Sequence, residues 1–215
     1  MKLKLTTRNL TTHADTQWEI GKKITAKEGE MKLCSETCLH YYNDPLLAVL
    51  LNPVHANISN PRMFQIKTSK EFITDGLKCG CKKQTLIKEI ELPEITTTQK
   101  IAFAILVSLK VCKEKSFLIW GKNWLSGKDR TAAAAYAAYA AANAANAAAY
   151  AAKAANAAAY AANAANAAAN AANAAAYAAN AAANAANAAD AAANAANAAN
   201  VKINFKSIAK QAMKY

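Results

Sequence analysis

Glycine and proline are scarce in this chain, six and four in 215 residues, and neither occurs between Thr131 and Asn200. That stretch therefore lacks the residues that ordinarily punctuate helices and make tight turns. No Gly-rich phosphate loop follows a strand pattern, and no Ser or Cys stands in a nucleophile elbow, so the commonest nucleotide-binding and hydrolase motifs are missing. The opening MKLKLTTRNLTTHADTQWE has no apolar core of a secretory signal. Five cysteines, an odd number, then point to reduced thiols and a cytoplasmic protein. Threonine is absent after Thr131, which argues against the regularly spaced threonines of alanine-rich ice-binding helices.

What is abundant is alanine. From Thr131 to Asn200 almost every residue is Ala, interrupted by single Asn, Tyr, Lys or Asp residues at alternating steps of three and four. Ala is the strongest helix former, so helix is the regular structure this segment supports. The inserted residues share one stripe, from Tyr136 to Asn200, with Tyr150, Tyr160 and Tyr177 among them as candidate interaction residues. The mean step is about 3.4 residues, below both the straight-helix and the heptad repeat. The expectation is a tight left-handed supercoil or a stack of shorter helices; unbroken, the helix would run about 105 Å. Ala faces packing helix on helix, within or between chains, with Asn and Tyr at the solvated edge, is the leading reading. Buried Asn and Tyr ladders are its inverse. An Asn at every third or fourth position is too costly for a membrane span.

Ahead of this segment lie about 130 residues, enough for one core. Short strands are expected at Trp18–Ile24 and Glu30–Leu33, and a helix from Asp44-Pro45 to Asn52-Pro53. Strands follow at Arg62–Thr68 and Thr85–Leu92, the second with Leu86 or Ile87 inward and Pro93 ending it. Thr96–Thr98 offer caps to a helix through Val111 with Ile101, Ile105, Leu106 and Leu109 as its core face. A second helix, Ser116–Leu125, carries Trp120 and Trp124 as a clamp between domain and Ala segment, and Asp129 is the expected cap of the Ala segment. The fold class is α+β: a small, mainly antiparallel sheet domain with two or three helices (1–130), a long Ala-rich helical extension (131–200), and a basic amphipathic capping tail (201–215) around Phe205 and Ile208.

Runs within the first 130 residues carry a family likeness. Asp44-Pro45-Leu46-Leu47-Ala48-Val49-Leu50-Leu51-Asn52-Pro53, Asn60-Pro61-Arg62 and Asn123-Trp124-Leu125-Ser126-Gly127-Lys128-Asp129-Arg130, leading into an Ala-rich tail, resemble uncharacterised proteins of tailed bacteriophages and prophages. So does the stretch from Ile20-Gly21-Lys22 through Leu33-Cys34 and Cys38-Leu39-His40 to Asp44-Pro45. Those proteins join a small amino-terminal domain of unknown function to an Ala-rich repeat. The resemblance implies a phage accessory protein in a host cytoplasm and carries no activity with it.

Two constellations hold chemistry. Cys34, Cys38, His40, Cys79 and Cys81 contain thiolate and imidazole donors suited to zinc, but not in paired C-x2-C knuckles; reduced core thiols are the plainer reading, and no metal or cofactor is expected. His40 and Tyr42, together with Arg8 and either Glu89 or Glu91 on neighbouring strands, are similar to the residue types that ADP-ribosyl-transferring folds use, and such an enzyme requires His40, Tyr42 and a late-strand Glu to converge in one cleft. The reading adopted is non-catalytic: binding, with a host protein or defence component as candidate partner and self-association through Ala faces. An ADP-ribosyl-transferase-like enzyme and a structural or ice-binding rod are its alternatives. The net charge of +12 admits nucleic acid as a partner, a reading not favoured because Lys outnumbers Arg and is scattered.

Overall fold

The computed structural model describes residues 1–131, 134, 158–166, 174–198 and 202–215. It combines antiparallel sheets with helices, an α+β fold, in two compact units, Met1–Glu94 and Ile95–Tyr215. The division falls at Glu94/Ile95, not at the Arg130 joint: the two helices assigned to the sheet domain belong with the Ala-rich segment, because the first of them packs against it.

In unit 1 the strands are β1 (Leu3–Thr6), β2 (Thr11–Thr12), β3 (Thr16–Gln17), β4 (Lys23–Thr25), β5 (Leu39–Tyr41), β6 (Arg62–Thr68), β7 (Ile73–Thr74), β8 (Cys79–Cys81) and β9 (Lys83–Ile90). One sheet runs β1-β6-β9-β4, a second β5-β8-β7, and β2-β3 form a ribbon. Helix α1 (Pro45–His55) packs on β1. The core between the sheets is Trp18, Tyr41, Phe64, Ile66, Cys79, Cys81 and Leu86. Leu3 and Leu5 alternate with Lys4 and Thr6, and all four are buried. An alternating Lys-Leu strand normally turns its lysines to water; here both faces of β1 are covered. β6 likewise buries both Met63 and Phe64, with a bulge between Gln65 and Ile66. In β9 it is Leu86 that is buried, while Ile87 is exposed.

Helix α1 begins as expected: Asp44 Oδ1 accepts from the Leu46 and Leu47 amides at 3.0 and 3.2 Å. It does not stop at Asn52-Pro53 but continues to His55. So close to the end, Pro53 costs one hydrogen bond, and the amides of Ala56 and Asn57 both return to the Asn52 carbonyl. Glu30–Leu33 is loop rather than strand. Its charged residues offer no buried face, and the Lys82 ammonium donates to the carbonyls of Lys27 and Gly29 beside it.

In unit 2, α2 (Thr97–Ser108) opens with a capping box: Thr96 Oγ1 accepts from the Gln99 amide, and Gln99 Oε1 accepts from the Thr96 amide. Every residue from Ile101 to Ser108 is buried, so α2 has no solvated side. It contacts α3 (Lys115–Leu125), α4 (Ala174–Ala198) and α5 (Phe205–Ala212). A Cβ on Gly121 would stand 3.1 Å from Ile105 Cγ2 and 3.3 Å from Leu109 Cδ2; glycine lets α3 approach α2. Trp120 and Trp124 are buried, and Arg130 folds back with its guanidinium 4.6 Å over the Trp124 ring and its Nε donating to the Trp124 carbonyl. The cap of the Ala segment is shared: Asp129 Oδ1 accepts from Thr131 N and Oγ1, and it is Thr131 Oγ1 that accepts from the Ala134 amide.

Residues 158–166 and α4 are helical, as alanine dictates. Alanines are buried at 158, 159, 161, 162, 164 and 165 and again at 185, 186, 188, 189, 192, 193, 195 and 196. Tyr160, Asn180, Asn194 and Asn197 are exposed, and Asn163, Asn166, Asn184, Asn187 and Asp190 are half-buried. Among the described residues, then, alanine faces inward and the polar stripe lies at the edge, the leading expectation rather than its inverse. No flat exposed alanine face of a free rod is seen among them. The expected Tyr136 and Tyr150 lie outside the described residues, as do most positions that bear on the supercoil. No described helix is long and apolar enough to cross a membrane.

Enlarging Ala189, fully buried on α4, to Leu overfills a close helix contact. Ala189→Leu is expected to lower stability by about 1–3 kcal/mol, whereas Asn194→Gln at an exposed position should stay within about 0.5 kcal/mol of the parent. Urea denaturation of the full chain checks both.

Candidate functional site

The site residues foreseen from the sequence fall on two sides of the unit 1 core. Leu39 and Tyr41 turn into that core, so the period of two puts His40 on the opposite face of β5. There its Nε2 accepts from the Cys34 amide at 2.9 Å. Burial, reinforced by the neighbouring Lys4 and Lys78 charges, pushes the imidazole down to about 4. Tyr42 pairs with Leu3 and stacks on His55 of α1, with ring centroids 6.2 Å apart and planes within 12°. Burial raises its phenol, so it is a neutral packing group with a polar tip.

Glu89 lies elsewhere. Its register partner on β6 is Phe64, which places it at the rim of the core face, opposite to the side that carries His40. Arg62, the first residue of β6, reaches over the Phe64 ring at 5.1 Å and grips Glu89 as a fork, Nε to Oε1 at 2.8 Å and Nη2 to Oε2 at 2.5 Å. Its Nη1 donates to the Arg8 carbonyl at 3.1 Å. Both carboxylate oxygens are thus engaged, and the Arg62 hydrogen bond holds the Glu89 carboxyl below its ordinary value. The fold does not bring His40, Tyr42 and Glu89 into one cleft.

Around the fork lies an open groove of about 640 Å³, lined by Arg8, Asn60, Pro61, Arg62, Glu89 and Leu92. Asn60, at φ 48°, turns the chain into β6 in the left-handed region that Asn tolerates. The preceding turn is latched by Asn52, whose Nδ2 donates to the Ile58 carbonyl and whose Oδ1 accepts from the Ile58 amide. The Asn60-Pro61-Arg62 run therefore builds the wall of the groove, and Asn52 braces it.

The thiols are divided in the same way. Cys79-x-Cys81 in a strand puts both sulfurs on one face, and that face is the core. Cys79 Sγ accepts from Asn43 Nδ2, and Cys81 Sγ lies near Gln84 Nε2 and the Lys83 carbonyl. Cys38 sits on the other side, over Gly80, where an added Cβ would collide with its sulfur, while Cys34 is exposed. Among the described residues no group of three or more His, Cys, Asp or Glu side chains is placed to hold a metal ion.

A buried polar centre escaped the sequence reading. The Lys4 ammonium donates to the His40 carbonyl at 2.8 Å and stands 4.5 Å over the Trp18 ring, and burial lowers it to about 8. Gln84 donates to the Leu39 carbonyl beside it at 2.7 Å, while its Oε1 is buried without a hydrogen-bond partner. The available signal was the Lys-Leu alternation at the start of the chain, which marks a strand but not a doubly covered one. Of the expected interaction residues in unit 2, Trp120, Trp124 and Phe205 are buried, Tyr160 is exposed, and Tyr177 lies on α4.

Residues 1–98 match the family model described as Domain of unknown function (DUF7666), a span that agrees with unit 1. No curated protein and no solved structure matches the chain.

His40 has a folded value of about 4, below its ordinary 6.5. The unfolded chain takes up a proton first as pH falls, so this residue's contribution is intact above about 6.5 and is lost on descending towards about 4. Compared with His40→Gln, which keeps an acceptor for the Cys34 amide, the parent should lose additional stability across that window. Urea midpoints measured against pH in both proteins check it.

Proposed function

We propose that this protein acts by binding rather than catalysis, as an accessory protein of the tailed-phage kind in a host cytoplasm, with a host protein or defence component as the partner of unit 1. The observation that carries the reading is the Arg62–Glu89 fork. The carboxylate needed by the transferase alternative has both oxygens committed to an arginine, on the side of the core opposite to His40. A group that must handle a proton near neutral pH is tuned towards 7, and here both candidates are displaced below their ordinary values. The groove beside the fork, with the exposed Arg8, Asn60 and half-buried Leu92, supports a role in contact. The phage setting rests on the sequence resemblance, and a domain of unknown function at residues 1–98 is compatible with it.

Self-association through Ala faces belongs to the same proposal. The buried alanines of α4 are less suited to it, since α4 packs against the chain's own α2.

Incubation of the full chain with biotin-labelled NAD and a bacterial lysate separates the readings. No label transfer above that of His40→Ala is expected; transfer that Glu89→Gln abolishes would establish the enzyme and end the non-catalytic account.

A further inference from the structure

The charge of the molecule is unevenly divided. Unit 1 carries 14 Lys and Arg against 11 Asp and Glu, whereas unit 2 carries 12 against 3. The acids of unit 2 are also engaged: Glu114 caps α3 and bonds Ser116, Asp129 holds Thr131, and Asp190 has a partner as well. No acidic residue follows Asp190 in the chain.

At its end, Lys202, Lys206, Lys210 and Lys214 recur at steps of four, and all four are exposed. Lys206 and Lys210 lie one turn apart on α5, about 6 Å along its axis. Lys202 precedes the Asn204 cap, and Lys214 follows the last turn. The opposite side of α5, Phe205, Ile208, Ala209 and Ala212, is buried, and the helix packs on α2, where Gln99 Nε2 donates to the Met213 carbonyl at 3.0 Å. Between the lysines the exposed side chains are Asn204, whose Oδ1 accepts from the Ser207 amide, Ser207 and Gln211.

We propose that this lysine row of α5 is a contact surface for the phosphate backbone of nucleic acid, without base sequence preference. A run of exposed charge of one sign, uninterrupted by any acidic residue, fits a ligand with a repeating charge of the other. Ser207 and Gln211 add hydrogen-bond donors of the kind that meet phosphate oxygens. Lysine supplies point charges rather than the planar fork that reads guanine edges, which makes the contact positional and not specific. An anionic membrane fits less well, because an interfacial helix needs its apolar face free and that of α5 is occupied by the fold. A protein partner fits less well for the same reason: α5 presents no apolar anchor at the centre of the row. The proposal concerns unit 2 and does not depend on whether unit 1 catalyses.

Anisotropy titration of the full chain against a labelled duplex of about twenty base pairs, over a series of salt concentrations, tests it. Four phosphate contacts predict a log–log salt slope of about −3.6. Lys206→Gln with Lys210→Gln should weaken binding and reduce the slope by about 1.8. The charge-matched pair Lys113→Gln with Lys115→Gln, also exposed, should leave the slope unchanged. Unaltered melting of both double variants shows that the fold is kept. Equal loss in the two variants would overturn the assignment to α5. Binding of phosphatidylserine vesicles or polyglutamate with none of the duplex would overturn nucleic acid as the partner.

Discussion

The burial of α2 on all sides is the constraint on which unit 2 depends. A helix with eight consecutive buried residues, Ile101 to Ser108, cannot sit at a surface; it needs neighbours around its whole circumference. The chain supplies them as α3, α4 and α5. Alanine suits the task because its side chain is a single methyl group and it loses no rotamer freedom on folding. Glycine at 121 performs the same service on α3. Each buried alanine removes little apolar area from water, so the stabilisation comes from repetition along the helix and from the apolar side chains of α2 itself. Among the described residues the polar insertions whose burial is known lie on the exposed or half-buried side of each helix.

Much of this is readable in the sequence. Alanine abundance without Gly or Pro dictates helix, the Thr96-x-x-Gln99 pair dictates where α2 starts, and Asp44-Pro45 dictates the start of α1. The amphipathic pattern of Phe205, Ile208, Ala209 and Ala212 identifies the capping helix. What was not readable depends on tertiary cover. Lys4 looks like a solvated strand residue until Trp18 and β5 close over it, and Pro53 looks like a helix stop until the Ala56 and Asn57 amides beyond it both return to the Asn52 carbonyl. Leu86 and Ile87 could each have faced the core; only the pairing of Ile66 with Leu86 decides. The boundary between units was hidden because helices of ordinary amphipathic composition can join either neighbour.

The candidate chemistry of unit 1 was legible as residue types and illegible as geometry. His40, Tyr42, Glu89 and the thiols are present, yet the alternation of β5 and β8 turns Tyr41, Cys79 and Cys81 to the core and His40 away from it, while Glu89 lies on β9 with its carboxylate held by the Arg62 fork. The contact surfaces proposed above are a groove built by Asn60-Pro61-Arg62 in the sheet unit and, in the helical unit, the lysines of α5, which lie outward because Phe205, Ile208, Ala209 and Ala212 are buried.

Hydrogen exchange on the full chain, resolved by residue, tests most directly whether α2 is the axle of unit 2. The account predicts that the amides of Ile101–Ser108 are the slowest to exchange in that unit and that Ala185–Ala196 exchange in step with them, through one cooperative opening. Fast exchange across α2, or exchange of Ala185–Ala196 while α2 stays protected, would contradict it.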